Sequence, residues 1–245
     1  MINCGSSNIT VRDKDMERTG GHRFWGFVLL SPLTYAMLLV LLLGCISFAQ
    51  VRSDDSVYCK GCEKQKTPWK KEICCMLNEA LQISMKDSVR AFNIVRSARQ
   101  MAVSRRDTST LIVCDRAMGL FLGQYGLYEE AKSWLRDALR WAELVNHRQY
   151  YAQCRRDLGS QHFQTRHFDL ALKEFHLSDS ICVVVRDSLG IADTRMKMAI
   201  VYQFIGRIDD AMVLYGQSGE IAEQTGNWNL AGACFLNMGA LEYKQ

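Results

Sequence analysis

Four alanines stand forty residues apart, at Ala91, Ala131, Ala171 and Ala211, and a second column of small residues keeps the same step at Gly119, Gly159, Ala199 and Gly239. A fixed period of about 20 to 50 residues marks solenoids and arrays, in which each unit buries its apolar face only against its neighbours. The repeat therefore constrains architecture more tightly than it constrains activity.

The residues between the columns explain why these positions are small. In Met118-Gly119-x-x-Leu122, then Gly126-x-Tyr128, then Ala131-x-x-x-Leu135-x-x-Ala138, apolar residues recur at three- and four-residue steps, which is helical spacing. Gly126 takes the positive φ of a helix C-terminal cap without penalty, so one helix stops there and a second starts near Tyr128. With no side chain at Gly119 and only methyls at Ala131 and Ala138, the two helices approach closely while Leu122, Tyr128 and Leu135 fill the space. The pattern predicts an all-α stack of antiparallel helical hairpins.

The next copies read Leu158-Gly159, Phe168, Ala171 and Phe175, then Met198-Ala199, Tyr202, Gly206, Ala211 and Tyr215. This order of small residue, turn glycine, aromatic, alanine and large apolar residue resembles the tetratricopeptide repeat over residues 72 to 245. Arg166 stands in place of the turn glycine in one copy, and Ile208 in place of the first aromatic in another. The period is forty instead of the usual ~34, and no proline follows Pro68, so the second helix of each hairpin runs on for roughly a turn and a half. The resemblance implies a superhelical solenoid of about four to four and a half repeats, preceded by an apolar N-terminal helix.

The same resemblance implies that first-helix side chains line the concave face. Carrying the register over places Arg116, Arg156 and Met196 in one column there, with Gln124, Gln164, Phe163, Gln203 and Phe204 as close neighbours. Two guanidinium forks on adjacent hairpins match a carboxylate bidentately, which points to a protein partner or an acidic peptide segment. The competing reading is that each arginine solvates its helix or pairs with Asp115 or Asp157, as surface charges commonly do. The family's carboxylate clamp for chaperone tails also uses an asparagine, and Leu120, Ser160 and Ile200 stand at that place.

Ten cysteines suggest a metal site or a disulfide framework. Yet Cys74, Cys114, Cys154 and Cys234 share one repeat position, with Thr194 completing the column, and small faintly polar residues suit a crowded face between helices. Cys59 and Cys62 have the spacing of a zinc knuckle or redox pair, but only Cys74 and Cys75 follow as further ligands. A disulfide, a zinc site, a redox pair and free thiols all stay open for them.

Residues 24 to 51 carry no charge, and Arg12, Lys14, Arg18 and Arg23 precede them. Four organisational stretches follow: a basic region over 1–23, a signal peptide or transmembrane helix over 24–49, a lysine-rich linker over 50–71 and the repeat domain over 72–245. Ser47-Phe48-Ala49 offers a signal-peptidase site before Gln50, the uncharged run is long enough for a retained anchor, and Leu42-Leu43-Gly44-Cys45 resembles a lipobox that would lipidate Cys45. A buried core helix is the bland alternative. The simplest expectation is export, with the repeats periplasmic or membrane-anchored outside the cytoplasm.

No HExxH, P-loop or Gly-x-Ser-x-Gly motif occurs, and the histidines form no metal-binding pair at helical spacing. A net charge of +4, with acids and bases interspersed, argues against a nucleic-acid footprint. The sequence therefore reads as a non-enzymatic, cofactor-free scaffold that binds a protein or peptide, tethered to a membrane if residues 24–49 are uncleaved. The alternative is the extracytoplasmic sensor arm of a truncated bacterial signalling or transcription-regulatory protein. The last helix, from about Asn229, repeats only the first half of a hairpin, so Phe235, Met238 and Leu241 are expected to lack cover: either the chain is part of a longer protein, or the open end docks to another chain, self-association included.

Overall fold

A computed structural model describes residues 66–243 of the protein. Among these residues nine helices follow one another without strands: α1 (Pro68–Ile83), α2 (Ser88–Ser104), α3 (Thr108–Gln124), α4 (Tyr128–Leu144), α5 (Arg148–Gln164), α6 (Phe168–Val185), α7 (Ser188–Phe204), α8 (Ile208–Gln224) and α9 (Trp228–Glu242). Odd-numbered helices are the first members of hairpins and even-numbered helices the second. The second helix of the Gly126 copy begins at Tyr128, as its spacing predicts.

The backbone repeats every twenty residues although the sequence repeats every forty. Residues 106, 126, 146, 166, 186, 206 and 226 all take positive φ, with glycine at Gly126 (77°), Gly206 (81°) and Gly226 (73°) but side chains at Arg106 (52°), Asn146 (50°), Arg166 (59°) and Arg186 (59°). After each of them the next N–H donates to the carbonyl five residues back, as Leu127 does to Leu122 and His167 to His162. This is the Schellman closure, which satisfies carbonyls that a helix end leaves open.

The two helix types start differently. Asp107, His147, Asp187 and Asn227, forty residues apart, cap α3, α5, α7 and α9 by accepting from the N–H groups of Thr110, Tyr150, Gly190 and Leu230. The later second helices have no such side-chain cap and instead carry acids in the first turn, Glu129 and Glu130 in α4, Asp169 in α6, Asp209 and Asp210 in α8. There the carboxylates meet the positive end of the helix dipole.

Each helix packs on the next, and first helices also touch the first helices of adjoining hairpins, whereas no described second helix touches another. The first helices therefore lie on the inside of the curve. Within hairpins the small columns do what their sizes imply: Ala91, Ala131, Ala171 and Ala211 are inaccessible, and a Cβ at Gly119 would fall 2.6 Å from Cγ of Leu135. At Gly159 it would fall 2.7 Å from the Phe175 ring.

Several boundaries differ from the sequence expectation. α1 begins at Pro68, inside the stretch read as linker, because proline is preorganised for the first helical turn. At the other end Leu241 is buried and the Phe235 ring lies where a Cβ on Gly219 would be, so α8 covers part of the face expected to stand open. Residues 1–23, the candidate signal or anchor at 24–49 with Cys45, and the Cys59–Cys62 pair lie outside the described residues. Among the described residues no helix is long and apolar enough to cross a membrane.

Candidate partner-binding face

The cysteine column is core. Cys74, Cys114, Cys154, Thr194 and Cys234 are all fully buried. The facing column on the preceding second helix, sixteen residues earlier, is Ala98, Ala138, Ser178 and Ser218. Where both members are polar they bond: Ser178 Oγ lies 3.3 Å from Thr194 Oγ1, and Cys234 Sγ donates to Ser218 Oγ at 3.2 Å. Burial pushes the Cys114 and Cys154 thiols up to about 12 and that of Cys234 up to about 11, which removes the thiolate that metal or redox chemistry needs. Cys74 departs from a free core thiol in one respect: it is disulfide-bonded. The other described cysteines are free. No metal-binding group of histidine, cysteine and carboxylate side chains occurs among the described residues.

The inner face is stitched by ion pairs between successive first helices. Arg116 on α3 donates from Nε to Asp157 on α5, and Arg156 on α5 pairs through Nε with Asp193 on α7 at 2.5 Å. Lys197 also reaches Asp193, at 2.9 Å. Burial works against the Arg116 charge, but Asp157 outweighs it and holds the guanidinium above its usual range. The two arginines thus occupy one column, as the register implies, with their forks turned to carboxylates of the next hairpin. Met196, the third member of the column, is buried, and the column continues to Leu236, which is exposed.

The remaining candidates separate by position. Gln124 and Gln164 are exposed at the ends of α3 and α5, while Gln203 is half-buried and accepts from Tyr215 Oη at 2.8 Å. Phe163 and Phe204 meet edge to face with ring centroids 5.0 Å apart, and Phe168, which the sequence reading left out of the site, joins both at 5.9 and 6.4 Å. Phe204 is 55% exposed. Asp157 is one of the two pairing partners the sequence offers, whereas Asp193 was missed; both stand one hairpin beyond their arginines, at 41 and 37 residues.

A second set of pairs joins a second helix to the following first helix at two of the joints. Asp115, fully buried, accepts from Arg99 Nε at 2.5 Å and from Trp141 Nε1 at 3.2 Å. Two hairpins on, Asp179 and Arg195 meet at the equivalent place with the charges exchanged, at 3.3 Å. A hollow of about 400 Å³ beside Arg99, bounded by Phe92, Met118 and Trp134, lies among α2, α3 and α4, away from the aromatic trio.

No protein-family model and no curated protein matches the chain. Solved structures do. The chain is similar to the Rap conjugation gene regulator of plasmid pLS20, determined in complex with the Phr* peptide, with TM-score 0.66 and 18% identity over 92% of this chain and 65% of that one. It is also similar to the apo form of RapI, with TM-score 0.58 and 15% identity over 75% of this chain and 51% of that one. A third is a signal transduction ATPase with numerous domains and a tetratricopeptide repeat sensor from Pyrococcus horikoshii, with TM-score 0.51 and 14% identity over 72% of this chain and 31% of that one. The chain thus spans between about half and two thirds of the two Rap structures and about a third of the ATPase. Identities this low carry architecture alone, and that architecture is the tetratricopeptide-like helical-repeat solenoid.

Proposed function

We propose that the protein is a non-enzymatic scaffold whose inner face holds a protein or peptide segment. The observation that carries this reading is the division of labour on that face. Its arginines are engaged by Asp157 and Asp193, whereas the Phe163, Phe168 and Phe204 rings form a cluster open at Phe204. An acidic segment has to displace those carboxylates to reach the two forks. A segment with an apolar anchor meets the rings directly and finds amides at Gln164 and Gln124 beside them, so an amphipathic peptide fits better than a purely acidic one. The Phr* complex of a regulator with this architecture supports a peptide ligand.

Export or membrane tethering through residues 24–49 belongs to the same proposal. The repeat sensor of the Pyrococcus horikoshii protein favours a second reading, in which this chain is the sensor arm of a larger signalling protein.

The test is affinity capture from native extract with the full chain, its Phe163→Ala/Phe204→Ala variant and its Arg116→Ala/Arg156→Ala variant, each checked for helical content. Loss of a captured partner in the aromatic variant is the expected result. Capture undiminished by the aromatic variant overturns the site. Mass spectrometry of the mature N-terminus decides the tether: a start at Gln50 means a cleaved signal, acylated Cys45 a lipoprotein, and an intact N-terminus an anchor.

A further inference from the structure

The joint between α4 and α5 is built unlike its equivalents. Where a second helix meets the next first helix near the turns, two facing positions are apolar in the other joints. Phe92 of α2 lies against Phe121 of α3 with ring centroids 6.2 Å apart. Two and three repeats on, Leu172 and Met212 occupy the Phe92 position, and Val201 and Leu241 the Phe121 position. At the α4–α5 joint the same positions hold Lys132 and Gln161, followed by His162 where the other copies have Leu122, Tyr202 and Glu242. All three are inside the protein, at 4%, 6% and 7% exposure.

The apolar core is interrupted there. One cluster runs from Ile73 to Ala131 and another surrounds Ala171, Phe175, Met198 and Val201. Ile112, Ala138, Ala142 and Cys154 bridge the joint only at the far end, where α4 finishes and α5 begins. At the near end Lys132 Nζ donates to the exposed carboxylate of Glu129 at 2.6 Å. His162 Nδ1 and Gln161 Oε1 are buried with no hydrogen-bond partner among the described residues, a costly arrangement for polar groups. Gly123 of α3 closes on the same spot, since a Cβ there would fall 2.5 Å from Gln161 Oε1.

We propose that the α4–α5 joint is an acid-released hinge: a proton taken up by His162 puts a second cation beside Lys132 inside the joint and parts the solenoid between its two halves. The groups facing His162 are Lys132 and Arg136 from α4, Glu174 from α6 and His167 from the α5–α6 turn, with Glu129 on Lys132 and Arg155 on Glu174. Burial first, and Lys132 next, hold the imidazole below the ordinary histidine value of 6.5. An opened joint restores that ordinary value, so the open form binds more protons below it. The closed joint is therefore fully stable above about pH 6.5 and weakens as pH falls further. The Arg116–Asp157 pair crosses the same joint on the inner face, so opening changes the spacing of the columns that line it.

Hydrogen exchange read by mass spectrometry on the full chain, at about pH 7.5 and about pH 5.5 and corrected for intrinsic rates, tests the hinge. In the native protein exchange is expected to rise at the start of α4 and the end of α5, by up to about tenfold per pH unit for a single proton, with the other joints unchanged. His162→Leu, which installs the residue used at Leu122, is expected to abolish that rise. A native joint indifferent to acid, or a His162→Leu joint that still loosens, overturns the proposal. Should His162→Leu fail to fold, the ring-proton titration of His162 in the native chain decides alone: a midpoint at or above the ordinary value overturns the hinge.

Discussion

Arg116 and Asp157 form an ion pair across forty-one residues of sequence, largely withdrawn from solvent, which ties the first helix of one hairpin to the first helix of the next. Removing one member leaves the other buried and unpaired. Arg116→Met is therefore expected to cost about 3–5 kcal/mol. The double variant Arg116→Met/Asp157→Ala borrows residues that the same two columns already use at Met196 and Ala117, and is expected to regain most of the loss. Urea denaturation followed by circular dichroism measures both, and equal losses in single and double variants would mean that the pair itself is not what holds the hairpins together.

The buried thiols give a second expectation. Cys114, Cys154 and Cys234 are inaccessible, whereas Cys75 is exposed. A maleimide at about pH 8 is expected to label Cys75 quickly and to reach the three column cysteines only after unfolding. Because burial raises their folded pKa from 9.0, the folded state keeps protons that the unfolded state releases. Their contribution is complete below about pH 9 and is lost as pH rises toward about 12, so stability falls on the alkaline side. Native-state labelling of Cys154 at the rate of Cys75 would contradict this packing.

The forty-residue register made the hairpins, their small columns and the buried cysteine column legible, because each depends on volume, and volume is written in residue type. The twenty-residue backbone period was hidden. Four of its seven left-handed positions are Arg106, Asn146, Arg166 and Arg186, residues that do not announce a turn as Gly126 does. The candidate face was legible as a set of positions but not as chemistry. The column of Arg116 and Arg156 was in the sequence, while the direction of each fork depended on a carboxylate one hairpin away. Phe168 escaped because it begins a second helix and reaches Phe163 and Phe204 only through the fold of the turn. The polar α4–α5 joint was likewise invisible until Lys132 and His162 were seen to share it.

Caps distinguish first from second helices in energy as well as geometry. Asp187 Oδ1 accepts from the Gly190 N–H at 3.0 Å at the start of α7. Asp187→Ala is expected to cost about 1 kcal/mol. Arg207 precedes α8 without a side-chain cap; it makes an exposed pair with Asp210 and lies over the Tyr202 ring at 4.5 Å, both weak at an exposed site, so Arg207→Ala is expected to cost less than about 1 kcal/mol. Thermal melts of the two variants side by side check the ordering, and a larger loss for Arg207→Ala would reverse it.

The turns supply the last expectation, because their backbone is fixed while their residues differ. Gly126 sits at a φ of 77° with nothing within 4 Å of a Cβ placed on it, so Gly126→Ala meets no clash and pays only for the left-handed backbone, about 1–2 kcal/mol. Arg166 holds the equivalent place at a φ of 59° with its side chain exposed. Glycine there relieves the same strain but gives the unfolded chain more freedom, which takes back roughly 0.5–1 kcal/mol. Arg166→Gly is therefore expected to stabilise by up to about 1 kcal/mol. Paired denaturant titrations of Gly126→Ala and Arg166→Gly should move the midpoint in opposite directions; shifts of the same sign would mean that the turn backbone is not what these residues are selected by.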